Sequence, residues 1–283
     1  MPHYLRYIYH TYCQLKGEKK YYFPLLVCFS LLVLLPAQGF SEEDLPWSNT
    51  SIDAYSRAYP RLTKALSRKK FSLGDPIFIR IFKQTDELEV WLGDNANGYR
   101  LFKTYIICYK SGSLGPKTME GDRQSPEGFY TIGPDQMNPW SKYHLSFNLG
   151  YPNEYDLYHQ RTGTALMIHG RCSSVGCYAM TDYFMDEIYI LADAALANGL
   201  PNFQVHIFPF KLTDNNLAEV TDSRWLDFWK NLKQGYDLFE RNRIPPEVGV
   251  EGGRYVFWLP NKTSFARTNY PEAPSSIAAT AKE

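Results

Sequence analysis

Five short runs of β-branched and aromatic residues constrain the fold of this chain more than any other feature: Ile77 to Phe82, Leu88 to Leu92, Tyr99 to Tyr109, Gly128 to Ile132 and Tyr143 to Asn148. Turn residues separate them, among them Asp94-Asn95 and Asn97-Gly98. Runs of this length and composition between turn signals read as strands, and their close succession predicts antiparallel hairpins. One clear helix follows at Asp182 to Asn198, with Phe184, Ile188, Leu191 and Ala195 on one face. Thr181 or Asp182 can cap its start, Asp186 and Glu187 oppose the positive end of its dipole, and Gly199 and Pro201 stop it. Phe203 to Phe208 returns as a strand. The expected class is α+β, predominantly β. Hydrophobic residues at 44% and charged residues at 21% exclude disorder as the default. The 30 basic residues balance the 30 acidic ones, so no whole-chain field draws nucleic acid or anionic lipid.

The ends of the chain differ from this middle. Arg6, Lys16, Lys19 and Lys20 precede the apolar run Leu25 to Leu35, and Ala37-Gln38-Gly39 offers small residues for cleavage. A run this short suits a secretory signal better than a spanning helix, which needs roughly 20 apolar residues. Residues 1–39 therefore read as a signal peptide, or as an N-terminal anchor where cleavage fails. Either way the remainder is expected in the periplasm of a Gram-negative-type envelope, touching membrane only through an uncleaved N-terminal segment. Residues 40–70 read as a helical lead-in, with a helix around Ile52 to Ser67. Residues 71–210 form the main domain and 211–260 a C-terminal extension, in which Trp225 to Phe239 is an amphipathic helix and Tyr255 to Leu259 a last strand. Residues 261–283 read as a disordered tail.

Chemistry concentrates between Ile168 and Met180. His169 closes a short buried strand, and small residues at Ser173, Ser174 and Gly176 turn the chain back to Cys177. A thiol beside an imidazole is what acyl transfer needs, since the thiolate is the nucleophile and imidazole accepts its proton near neutral pH. A helix starting just after Cys177 would favour a thiolate. Removal of residues 1–39 leaves Cys108, Cys172 and Cys177, so at least one thiol stays unpaired within the monomer. Cys172 reads as structural, either a buried thiol or the partner of Cys108 in a disulfide. His169, Cys172, Cys177 and His206 lack the paired spacing of a zinc site. The loop Ser111 to Pro126 is rich in Gly and Pro, lies between strands, and is long enough to be functional.

His169-Gly170 followed by Ser174-Val175-Gly176-Cys177 and Met180 is similar to the HG and SxGCxxM signature of L,D-transpeptidases of the YkuD type. Ser125-Pro126-Glu127-Gly128-Phe129 resembles their upstream TPxGxF hairpin. LGPK at 114–117, GDRQSPEGFY at 121–130, FNLGYPNEYD at 147–156 and GCYAMTD at 176–182 resemble the YafK-like branch, across roughly Phe71 to Tyr236. The resemblance implies a mixed β catalytic domain, with its main helix after the catalytic Cys and a small C-terminal extension. It implies Cys177 as nucleophile, His169 as general base, the Gly170 carbonyl orienting that histidine, and no cofactor or metal. The substrate implied is a peptidoglycan stem peptide, attacked at meso-diaminopimelate to give a thioester. An amine resolving it makes a transpeptidase; water makes a peptidase or amidase, with release of a peptidoglycan-attached lipoprotein as one form. Backbone N–H groups at Gly176 and Cys177 are the expected oxyanion hole.

Much of the wider family carries an arginine two residues after the cysteine, where this chain has Ala179. A charge for a substrate carboxylate must then come from elsewhere, with Arg123, Lys117 and Arg171 as candidates. Ser174 and Tyr130 join Arg123 and Arg171 as expected substrate-binding residues. A wall-binding protein without turnover and a zinc peptidase are the rival readings.

Overall fold

The computed structural model describes residues 45–94 and 96–260, so the assignments made for residues 1–39 and 261–283 lie outside the described residues. In chain order the elements are α1 (Asn49–Arg68), β1 (Ile77–Phe82), β2 (Glu87–Asp94), β3 (Gly98–Ile106), β4 (Tyr109–Lys110), β5 (Gly128–Ile132), β6 (Met137–Asn138), β7 (Ser146–Asn148), α2 (Glu154–Tyr158), β8 (Met167–His169), β9 (Tyr178–Ala179), α3 (Asp182–Ala197), β10 (Phe203–Phe208), α4 (Asp214–Ala218), α5 (Leu226–Asn242), β11 (Glu247–Glu251) and β12 (Arg254–Trp258). The fold is α+β with strands in the majority.

Two five-stranded sheets carry the domain, in the orders β3-β2-β1-β10-β5 and β4-β9-β8-β7-β6, and β11 and β12 form a separate hairpin. Most neighbours are antiparallel, as the turn signals predict, but β1 pairs in parallel with β10 and β8 in parallel with β9. The run read as one strand from Tyr99 to Tyr109 is interrupted at Ile107-Cys108. Its first part closes the edge of the first sheet and its second part, β4, opens the other.

Every residue of β1 is buried, the pattern of a strand covered on both faces. Phe78, Arg80 and Phe82 point at α5, where Phe78 meets Phe239 at 4.7 Å between centroids and Phe82 meets Tyr236 at 6.4 Å. The alternate residues Ile77, Ile79 and Ile81 occupy the opposite face, and α3 packs against both β1 and β7. The extension is therefore one cover of the first sheet.

α1 begins at a capping box between Ser48 and Ser51 and buries Ala54, Tyr55, Ala58, Leu62 and Leu66, spaced three and four apart as an amphipathic helix requires. It lies along α3. Asp186 and Glu187, expected to serve the helix dipole, are buried and serve tertiary contacts instead. Arg57 and His144 pair with Asp186, while Arg61, Lys103 and the Tyr105 hydroxyl converge on Glu187.

Candidate active site

In the parallel pair β8-β9, Ile168 aligns with Tyr178 and His169 with Ala179. Side chains alternate along strands, so His169 and Ala179 share one face, and the residues one step back in register, Met167 and Cys177, share it too once each is displaced by two. The Met167 N–H donates to Cys177 Sγ at 3.3 Å, and the thiol donates to the Ala165 carbonyl at 3.6 Å. On the other side of β9, β4 runs antiparallel with Lys110 aligned to Tyr178. One residue further along this register, Ser111 stands across from Cys177. The strand order β4-β9-β8 thus sets the thiol between a serine and a histidine.

The expectation of a helix dipole at the thiol is not met. β9 and Met180 separate Cys177 from α3, whose first turn is capped by the Thr181 side chain accepting from the Phe184 N–H. No helix dipole acts directly on the sulfur. Burial pushes the Cys177 thiol above its ordinary value, with the Met167 N–H, the Ser174 hydroxyl and the Lys117 charge opposing that rise.

His169 is 2% exposed. Its Nδ1 lies 2.6 Å from the Gly170 carbonyl oxygen, which can only accept, so Nδ1 carries the hydrogen and Nε2 carries the lone pair. Nε2 has no hydrogen-bond partner among the described residues. Burial lowers the imidazole pKa from its ordinary value, and the Gly170 carbonyl only partly offsets this. The Tyr143 ring covers the imidazole at 4.8 Å between centroids. Space requires glycine at 170: a Cβ there would meet Asp182 Oδ1 at 2.7 Å, His144 Cβ at 2.8 Å and the Tyr143 carbonyl at 2.9 Å.

Two serines bracket the turn that carries Cys177. The Ser125 hydroxyl accepts from the Ser111 N–H and donates to the Cys177 carbonyl, each at 3.2 Å, so it is inserted where a direct ladder bond between those two residues would lie. The Gly176 N–H donates to Ser111 Oγ at 2.7 Å. This corrects the expectation that the Gly176 N–H is free for an oxyanion. A buried N–H without a partner is costly, and the neighbouring hydroxyl supplies one. Sequence reasoning did not single out Ser111, and it quoted Ser125 only as part of a motif.

The loop between Ser111 and Pro126 is held from beneath by a buried ion pair. Lys83, at the end of β1, is 1% exposed; its Nζ lies 3.0 Å from Glu127 Oε1 and donates to the carbonyls of Gly115 and Ser125. Burial lowers the Lys83 pKa, with Glu127 opposing. Glu127 also accepts from the Gly115 N–H at 2.6 Å and, through Oε2, from the Trp229 indole at 2.8 Å. Above it, Asp122 accepts from Lys117 Nζ and from the N–H groups of Thr118, Met119 and Gln124. These bonds hold its carboxyl below its ordinary pKa against the opposing effect of burial.

The remaining expected residues divide. Tyr130 is corrected: at 2% exposure it faces the interior, and its hydroxyl lies 3.3 Å from Asp156. Arg123 and Arg171 are exposed, and the Arg171 N–H donates to Asp182 Oδ1. Ser174 Oγ is buried without a hydrogen-bond partner of normal geometry, close enough to Cys177 to favour its ionised form. Cys172 is exposed and forms a disulfide with Cys108, leaving Cys177 as the free thiol among the described residues. The NEYD segment is structural: Asn153 caps α2 and reaches the Phe129 carbonyl and Tyr255 hydroxyl, while Asp156 pairs with Arg161. A groove of about 1210 Å³ bordered by Phe129, Asn153, Pro201 and Tyr255 contains neither His169 nor Cys177.

The model of the YkuD family, described as the L,D-transpeptidase catalytic domain, matches residues 78–207. A relative named "Putative L,D-transpeptidase YafK", from Escherichia coli strain K12, is 43% identical over 231 residues, spanning 81% of this chain and 88% of its own. The chain belongs to the YkuD family of L,D-transpeptidase catalytic domains. Among solved structures, the helical cell shape determining protein Pgp2 of Campylobacter jejuni is 18% identical with a TM-score of 0.38, covering 66% of this chain and 79% of its own. Bd1075 of Bdellovibrio bacteriovorus is 16% identical with a TM-score of 0.34, covering 64% and 82%.

Proposed function

We propose that this YkuD domain is a cysteine acyltransferase acting on peptidoglycan stem peptides, with Cys177 as nucleophile and His169 as general base. The observation that carries the reading is the hydrogen bond from His169 Nδ1 to the Gly170 carbonyl, which leaves Nε2 as the basic atom beside the face occupied by Cys177. Nε2 takes the thiol proton as Sγ attacks the carbonyl carbon of a meso-diaminopimelate residue. The carbonyl π pair moves to oxygen, then returns as the C–N bond breaks, and the departing amine takes the proton from His169. The product on the protein is a thioester. An amine resolves it in transpeptidation; water resolves it in hydrolysis, including release of a peptidoglycan-attached lipoprotein. The family and the relative's printed name support transpeptidation as the first of these. The Cys108–Cys172 bridge, exposed at Cys172, supports an oxidising compartment and with it the periplasmic assignment.

The test is the intact mass of the purified protein after incubation with a carbapenem, an electrophile that acylates such thiols, for the parent protein, Cys177→Ala, and the Cys108→Ser/Cys172→Ser pair. An adduct of one inhibitor that requires Cys177 and persists without the disulfide cysteines supports the reading. Absence of any adduct, together with a Cys177 that resists iodoacetamide while folded, overturns it. Product analysis on isolated cell wall, with and without an added D-amino acid, then separates the amine from the water as acceptor.

A further inference from the structure

We infer that the Ser111 hydroxyl is the side-chain donor that meets the developing oxyanion, with the Gly176 N–H acting through it. This rests on the acyl-transfer reading of Cys177. Three observations carry it. One residue beyond the paired register of β4 and β9, Ser111 falls opposite Cys177, with the Ser125 hydroxyl bridging the two backbones. The Ser111 oxygen accepts from the Gly176 N–H at 2.7 Å, so the backbone donor beside the nucleophile already has a partner. The Ser111 hydroxyl hydrogen has no acceptor among the described residues, while its backbone groups are both bonded to Ser125. A hydroxyl that accepts one hydrogen bond is polarised toward donating another, and an oxyanion one bond from the carbon that Sγ attacks is the acceptor that the reaction creates.

The relay runs from the Gly176 N–H to Ser111 Oγ and from Ser111 O–H to the oxyanion. No proton changes owner along it. Oxyanion-hole donors act on charge that appears only in the transition state, and loss of one costs about 100- to 1000-fold in kcat. A rival geometry predicts the opposite sign: if the Gly176 N–H binds the oxyanion directly, Ser111 masks it in the resting state and its removal helps.

The experiment compares two reactions of the same sulfur. Carbapenem acylation passes through an oxyanion, whereas displacement by iodoacetamide does not. In Ser111→Ala, acylation at Cys177 is expected to slow about 100-fold while alkylation keeps its rate and its pH midpoint, and Ser111→Thr is expected to restore most of the acylation. Unchanged or faster acylation in Ser111→Ala overturns the relay in favour of direct donation by Gly176. An equal fall in both reactions also overturns it, because Ser111 would then only position the thiol. Should the Ala variant fail to fold, Ser111→Thr against Ser111→Val repeats the comparison at nearly constant shape. A parent protein that is alkylated but never acylated at Cys177 would sink the acyl-transfer reading itself and is distinguishable from every outcome above.

Discussion

His169 and Cys177 are each held in the neutral form by burial, the imidazole below its ordinary 6.5 and the thiol above its ordinary 9.0. A resting thiol with a neutral base predicts general-base attack, not a preformed thiolate-imidazolium pair. Protonation of His169 removes the base, so acylation should keep its rate down to a half-maximal pH below 6.5. Iodoacetamide needs thiolate, so its rate should climb toward a midpoint above 9. A thiolate plateau extending into acid, read from the same alkylation series, would contradict this account. Space makes a second residue-scale prediction. A methyl group on Gly170 requires Asp182, His144 or the Tyr143 backbone to move, since all three would lie within 3.0 Å of it. One of those contacts belongs to Tyr143, whose ring covers His169. Gly170→Ala is therefore expected to destabilise the protein by about 1–3 kcal/mol and to slow acylation at least tenfold at temperatures where it remains folded, as thermal unfolding and adduct formation would measure.

Among elements, α5 matters most for the site although it lies in the extension. Its Trp229 binds the carboxylate that also anchors Lys83 and the Gly115 N–H, and Trp225 packs so closely on Gly115 that a Cβ there would meet its Nε1 at 2.3 Å. Trp229→Phe keeps the ring buried among Phe210 and Leu232 but removes one donor to a buried carboxylate. Urea unfolding should show a loss of about 1.5–3 kcal/mol, and Cys177 acylation should fall while the alkylation midpoint is unchanged. The α1–α3 interface responds to pH in two senses. Asp186 and Glu187 have carboxyl pKa values below their ordinary ones, so their contribution to stability is present above the unfolded values and is lost as pH falls through the folded ones. Asp193 is the reverse: burial raises it to about 6, with the Tyr55 hydroxyl at 2.9 Å opposing. A raised carboxyl binds its proton more tightly when folded, so it costs stability as pH rises from about 4 through 6. Asp193→Asn, which retains an acceptor for Tyr55, is expected to stabilise the protein by about 1–3 kcal/mol at pH 7 and by nothing measurable near pH 4. Unfolding curves at the two pH values decide it.

Across the whole molecule, local pattern and motif made much of the fold legible and singled out the two candidate residues, His169 and Cys177, while non-local pairing stayed hidden. Strands such as Ile77–Phe82 and the helix from Asp182 follow from composition and periodicity within their own segments. The parallel pairing of β1 with β10 joins residues far apart in the chain, and nothing in either strand names its partner. For the same reason Ser111 was missed: its place opposite Cys177 depends on the register of β4 with β9, and on the break at Ile107-Cys108 that moves the chain from one sheet to the other. Tyr130 was misread because a tyrosine is compatible with interior and surface alike. The odd cysteine count left Cys172 open, and the structure resolves it as a bridge to Cys108 at that same break, with a Cα separation of 5.3 Å across 64 residues of sequence. One end of the bridge lies between His169 and Cys177, and the other lies three residues before Ser111. The bridge therefore ties together the strands that flank the thiol, as well as shortening the unfolded chain. Loop-closure entropy for a separation of this size is worth about 4 kcal/mol, and native strain commonly reduces it. Cys108→Ser/Cys172→Ser should lose about 2–4 kcal/mol in urea unfolding. At a temperature where the variant is folded it should still form the carbapenem adduct, but more slowly, because the β-ladder alone must then hold Ser111 and His169 against Cys177. A variant that loses stability yet acylates at the parent rate would show that the ladder suffices and that the bridge serves folding alone.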